Sequence, residues 1–181
     1  TVTKPFAGTF DGKNHKISGL TLTAGLDDQG LFGCSSGTIG NLGIVRGNIS
    51  VGSAERIGAI CGYSTGTIEN CWNSADITGS TEGGKYVGGI CGYSTGTIYG
   101  CLNMGDITAN SFIGGICGNT AQSTQISNCF NSGSITGKEQ IGGIAGINLN
   151  YITFCINAGE LTGEESVYAV SHSDDVRNIY A

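Results

Sequence analysis

The sequence predicts an all-β fold, a single parallel β-solenoid of about six coils, each of 26–30 residues and three short strands. Three observations lead there. The nonapeptide ICGYSTGTI occurs at Ile60–Ile68 and again at Ile90–Ile98. Repeat units start at residues 57, 87, 113, 141 and 167, and a fixed period of this length marks a repeat architecture. The apolar runs within each unit are too short for a helix, lack i, i+3, i+4 spacing, and are rich in β-branched residues. A propeller blade needs about 40 residues and four strands, and a leucine-rich repeat needs an L-x-x-L-x-L ladder that is missing. Parallel crossovers favour a right-handed coil.

Residues 1–28 form an atypical first coil. Residues 29–166 hold the repeats, beginning with the degenerate copy GLFGCSSGTIGNLGIVRGNISVG from Gly30. The clear copies are IGAICGYSTGTIENCWN from Ile57, VGGICGYSTGTIYGCLN from Val87, IGGICGNTAQSTQISNCFN from Ile113 and IGGIAGINLNYITFCIN from Ile141. Residues 167–181 form a partial last repeat, in which Asp175–Tyr180 echoes GTIENCW. In the third unit the three runs are VGGIC, TIYGCL and DIT. Stacked coils about 4.8 Å apart place each residue on its own copy, so identical shapes pack without voids. Length differences fall in turns, the longest being the insertion Ser80–Tyr86. The 181 residues make one domain and read as a fragment of a longer protein, with flanking domains as partners in the same chain.

Composition narrows the function. Glycine totals 33 and proline 1, which suits tight turns rather than a Pro/Gly linker. The net charge is −6, and the 8 Lys and Arg form no run. Nucleic acid and anionic membrane surfaces need concentrated positive charge, so neither is an expected partner. No apolar run approaches the ~20 residues of a membrane span, and no leader precedes the patterned sequence.

The pattern V-G-G-[IL]-x-G-Y-x-x-G-T-I-x-N-C-x-x-x-G-x-[IV]-T-G resembles the GLUG repeat of bacterial surface and secreted proteins, including immunoglobulin A peptidases and filamentous adhesins. The opening Phe6–Leu22, FAGTFDGKNHKISGLTL, is similar to the segment preceding such repeats in gut bacterial surface proteins. The resemblance implies an extracellular or cell-surface location, a role as stalk or spacer, and a contribution to adhesion. The zinc-binding H-E-x-x-H of those peptidases lies outside their repeats. Here only His15 and His172 occur, neither in that motif, so peptidase activity does not carry over. The expected chain is non-catalytic and needs no cofactor.

Several constellations remain. Two cysteine columns, Cys61, Cys91, Cys117 and Cys71, Cys101, Cys129, Cys155, read as stacked core thiols, with Ala145 continuing the first and Cys34 standing apart. The rival reading pairs Cys61–Cys71, Cys91–Cys101 and Cys117–Cys129 as disulfides. Zinc lacks a C-x-x-C. Asn73, Asn103, Asn131 and Asn157 suggest an amide ladder. Trp72, Leu102, Phe130 and Ile156 vary in size, so this row is a candidate ligand face together with Tyr63 and Tyr93, for host glycans or extracellular proteins. Ser50, Thr78, Thr108, Thr136 and Thr162 read as an outward row without the T-x-T doublet of an ice-binding array. Asp76, Asp106, Ser134 and Glu160 form an interrupted acidic column, the weak case for a polysaccharide-active enzyme. His172, Asp174 and Asp175 read as a solvated terminus.

Overall fold

The computed structural model describes residues 4–23, 25, 27–52, 54–79 and 86–171 with their side chains, and the backbone of 172, 176 and 177. Among these residues there is no helix, and every strand pairing is parallel. About five turns stack, as the register Thr9↔Thr38↔Thr67↔Thr97↔Gln125 records on one side. Val176 continues it by pairing with Ile152, in the position the echo of GTIENCW implies.

Each turn has three sides. The coil starting at Arg56 shows them clearly. Its first side bends in the middle, giving Arg56–Gly58 and Cys61–Ser64. Its second side also bends, giving Thr67–Glu69 and Trp72–Asn73. Its third is Asp76–Thr78. The three apolar runs of the repeat are therefore the three sides, and the two longer ones are kinked. Among the described residues these segments stack into three six-stranded sheets and one eleven-stranded sheet. The last is continuous because Thr38–Val45 is one unbroken strand that pairs with both arms of the next coil's second side.

The interior is built of columns. Ile57, Val87, Ile113 and Ile141 are fully buried, as are Ile60, Ile90, Ile116 and Ile144. Burying one such side chain contributes about 1.5–3 kcal/mol. The asparagines form the expected ladder. Each Nδ2 donates to the Oδ1 of the next coil, Asn73 to Asn103 at 2.9 Å, Asn103 to Asn131 at 2.8 Å and Asn131 to Asn157 at 2.8 Å. The same Nδ2 also donates to the carbonyl two residues on, at 2.9 Å in Asn73, Asn103 and Asn131. A buried amide is stabilising only when paired in this way.

The kinks have a backbone signature. On the second side the residue at the bend is left-handed in five successive coils: Asn41 (φ 55°), Asn70 (51°), Gly100 (62°), Asn128 (54°) and Phe154 (53°). Asparagine and glycine suit this conformation, and phenylalanine does not. On the first side, Gly58, Gly88 and Gly114 sit where the chain folds back. A methyl group on any of them would strike the carbonyl oxygen of Cys61, Cys91 or Cys117 respectively.

The two ends differ. Thr9–Ser18 covers the first turn with an almost wholly exposed face that includes Lys13, His15 and Lys16, and a bulge at Lys13 and Asn14 breaks its register. Such a polar, bulged strand is a blunt edge. At the other end, Val167 continues the Ile57 column yet is 40% exposed.

Two stability predictions follow from the columns and the kinks. Asn103→Asp removes both Nδ2 donors and buries a carboxylate facing the Asn131 Oδ1 and the Gly105 carbonyl, so it should cost about 3 kcal/mol or more at pH 7 in urea denaturation. That carboxyl is raised in the folded state. The deficit should therefore be smallest below the unfolded pKa of about 4 and grow as pH rises above it. Equal deficits at pH 4 and pH 7 would contradict the ladder. Phe154→Asn should stabilise the chain by about 1 kcal/mol, because Phe154 is 57% exposed and loses little packing.

Candidate functional site

The fold-back on the first side decides where outward side chains meet. Arg56 precedes the buried Ile57, and Tyr63 lies beyond the bend on the second arm. Both remain partly exposed, yet the Arg56 guanidinium carbon lies 5.0 Å from the Tyr63 ring centroid. In the next coil Tyr86 and Tyr93 meet the same way, with centroids 5.6 Å apart. Outer side chains that touch across a bend make that corner re-entrant.

Stacking then joins the coils. Tyr63 and Tyr93 are register partners with centroids 5.6 Å apart, and Tyr86 contacts Phe112 at 5.4 Å. The result is a continuous run, Arg56–Tyr63–Tyr93–Tyr86–Phe112, with tilted ring pairs that each contribute about 0.5–1.5 kcal/mol beyond burial. Burial, with Tyr63 and Tyr86 close by, pushes the Tyr93 hydroxyl above its ordinary pKa.

The run ends at the first turn in a charged pocket. Arg56 Nε and Asp28 Oδ1 are 2.5 Å apart, in ion-pair geometry rather than an aligned hydrogen bond. The Asp28 side chain is 1% exposed and that of Arg56 23%. Asp28 Oδ2 accepts a hydrogen bond from the Cys34 thiol at 3.1 Å. A cavity of about 140 Å³ opens beside them, bounded also by Ser35, Tyr63 and Thr65.

The candidate ligand residues are divided between two sides. Tyr63 and Tyr93 belong to the re-entrant corner. Trp72, Leu102 and Phe130 lie in register on the second side, followed by Ile156 and preceded by Gly43. The Trp72 indole packs over Gly43, where a methyl group would collide with the ring. Trp72, Leu102 and Phe130 are half-buried and Ile156 is exposed. They do not form one surface with the tyrosines.

All eight cysteines are free and buried. Cys61, Cys91 and Cys117 are register partners, with Ala145 next. Along the second column the Cys101 N–H donates to Cys129 Sγ and the Cys129 N–H donates to Cys155 Sγ, both at 3.4 Å. Cys34 pairs with Tyr63 instead, and Phe32 takes the Cys61 register. Burial, reinforced by Asp28, pushes the Cys34 thiol up to about 12. Burial alone leads for Cys71, at about 11. The neighbouring thiol leads for Cys61, Cys129 and Cys155, also upward.

The acidic column is committed to the backbone. Asp76 Oδ1 accepts the Asp106 N–H at 3.0 Å, and Asp106 Oδ1 accepts the Ser134 N–H at 2.8 Å. Ser50, Thr78, Thr108, Thr136 and Thr162 form an exposed outward row. Among the described residues no group of His, Cys, Asp and Glu could hold a metal ion. Residues 80–85 of the Ser80–Tyr86 insertion, Asp174, Asp175 and the His172 side chain lie outside the described residues.

Sequence reasoning passed over Arg56, Asp28 and Phe112. Their signal is weak because the position before I/V-G varies, from Arg56 to Tyr86 to Phe112, and only the bend shows that it faces the tyrosine row.

No family model matches the chain. A stretch of 82 residues, 44% of the chain, is 34% identical to halomucin of Haloquadratum walsbyi, and it spans 1% of that protein's length. The fold is similar to a crystal structure from Bacteroides ovatus, described as a putative immunoglobulin A1 protease, with a TM-score of 0.64 and 21% identity. The match covers 94% of this chain and 68% of that one. At that identity the likeness is one of fold.

Thiol chemistry is directly checkable. The native chain at pH 8 should show no fast-reacting thiol towards an aromatic disulfide reagent, and all 8 cysteines should react after unfolding. A rapid native reaction would place a thiol at the surface.

Proposed function

We propose that this solenoid is a non-catalytic repeat module of a bacterial cell-surface or secreted protein, acting as a spacer and contributing to adhesion. The observation that carries the spacer role is the uniform register: equivalent residues pair coil after coil from Thr38 to Ile152. Such a stack lengthens by adding coils without new chemistry, since each contacts only its neighbours. The non-catalytic reading is supported by the acidic column, whose carboxylates hold backbone amides. The extracellular reading is supported by the resemblance to GLUG repeats and by the partial likeness to halomucin.

The adhesive contribution is supported by the re-entrant corner, where partly exposed rings line up along the stack. Aromatic faces of this kind suit sugar rings or apolar protein segments. The test is binding of the folded chain to arrayed neutral and acidic glycans and matrix proteins, beside Tyr93→Ala and Trp72→Ala. Loss of binding in Tyr93→Ala alone is the expected result and assigns the corner. Loss in Trp72→Ala alone would move adhesion to the second side. A folded chain that binds nothing would leave the spacer role without adhesion.

A further inference from the structure

We propose that the Arg56 pocket recognises a carboxylate on an acidic sugar, with the sugar ring continuing onto Tyr63 and Tyr93. The proposal rests on the adhesive reading of the corner and gives it a ligand class.

The first support is the way Arg56 is held. Asp28, itself almost wholly buried, engages Nε, and the Tyr63 ring lies against the guanidinium. Among the described residues none accepts a hydrogen bond from the two Nη groups. A guanidinium fixed from behind and along one face presents a planar fork of N–H donors, the geometry that suits a carboxylate. Asp28 in turn is fixed by the Cys34 thiol, so the pair cannot easily swing away. The side chain has therefore lost its rotamer freedom before any ligand arrives.

The second support is room. The cavity of about 140 Å³ beside Arg56 exceeds many times the ~10–15 Å³ needed for one water. Thr65 and Pro5 lie on its wall with Ser35, whose hydroxyl is already paired with the Phe6 carbonyl and the Gly37 N–H. Hydroxyl and guanidinium at one end and aromatic rings at the other match a ring that has a charged group, hydroxyls and an apolar face.

The third support is charge. The first 56 residues contain Lys4, Lys13, Lys16, Arg46 and Arg56 against Asp11, Asp27, Asp28 and Glu55, one net positive charge. The rest of the chain therefore carries seven net negative charges, to reach the overall −6. An anionic ligand is repelled less at the first turns than along the later ones. Arg56 is the one cation of the aromatic run, with Asp28 as its counter-ion and Asp27 and Glu55 as chain neighbours of the pair, so an anion is met by the open Nη side of the guanidinium.

The test is titration of the full chain with glucuronic acid, with an oligosaccharide ending in glucuronic acid, and with the matching neutral glucose oligosaccharide, followed by Tyr ring signals in NMR. The acidic oligosaccharide should bind at least about tenfold more tightly than the neutral one, and Arg56→Lys should remove most of that difference while retaining the charge. Raising sodium chloride from about 20 to 500 mM should weaken acidic binding and leave neutral binding unchanged, which tests the contact without any substitution. Binding of free glucuronic acid as tightly as the oligosaccharide would confine recognition to the pocket. Equal affinity for acidic and neutral oligosaccharides would overturn the Arg56 assignment and leave the aromatic corner standing. No binding of any of the three would overturn both.

Discussion

In-register parallel pairing is the constraint on which everything else in this molecule depends. Once each coil lies directly on the one before, every side chain has its own copy as a neighbour about 4.8 Å away. The interior must then be made of shapes that stack on themselves. Isoleucine does so by packing, cysteine by its small size, and asparagine by donating to one copy and accepting from the other. A buried amide column would be costly with a missing member, and pairing between coils supplies each member's partner.

The same constraint governs the corners. A bend must recur at the same place in each turn, so the residue that allows it recurs as well. The fold-back glycines at 58, 88 and 114 and the left-handed bend at Asn41, Asn70, Gly100 and Asn128 are two forms of this rule. Phe154 breaks the second, near the end where Val167 and Ile156 also lie open. The stack is thus most regular in its middle and departs from the rule towards both ends.

Function has room only where the repetition lapses. Outward rows are free to vary, and one of them runs Asp28, Arg56, Tyr86 and Phe112. Because the corner is re-entrant, this variable row meets the tyrosines of the repeat instead of standing alone in solvent. The charge of the chain adds direction: five of the 8 cations lie in the first 56 residues, while the carboxylates are spread along the chain. A regular rod thereby acquires one distinctive place.

The sequence by itself determined the period, the three sides of each coil, the asparagine ladder and the two cysteine columns, because stacking converts a repeat in the chain into a column in space. It also marked Tyr63 and Tyr93 as candidates, since identical residues at identical positions must stack. Only the tertiary structure decided that Trp72, Leu102 and Phe130 lie on another side from the tyrosines, that Cys34, already apart from the columns in the sequence, takes the Tyr63 register, and that Asp28, Arg56 and Phe112 join the tyrosines. Those outcomes depend on the sharpness and direction of a bend. Spacing along a chain fixes which residues share a column, but it does not fix the angle between two columns, and that angle sets which of them can touch.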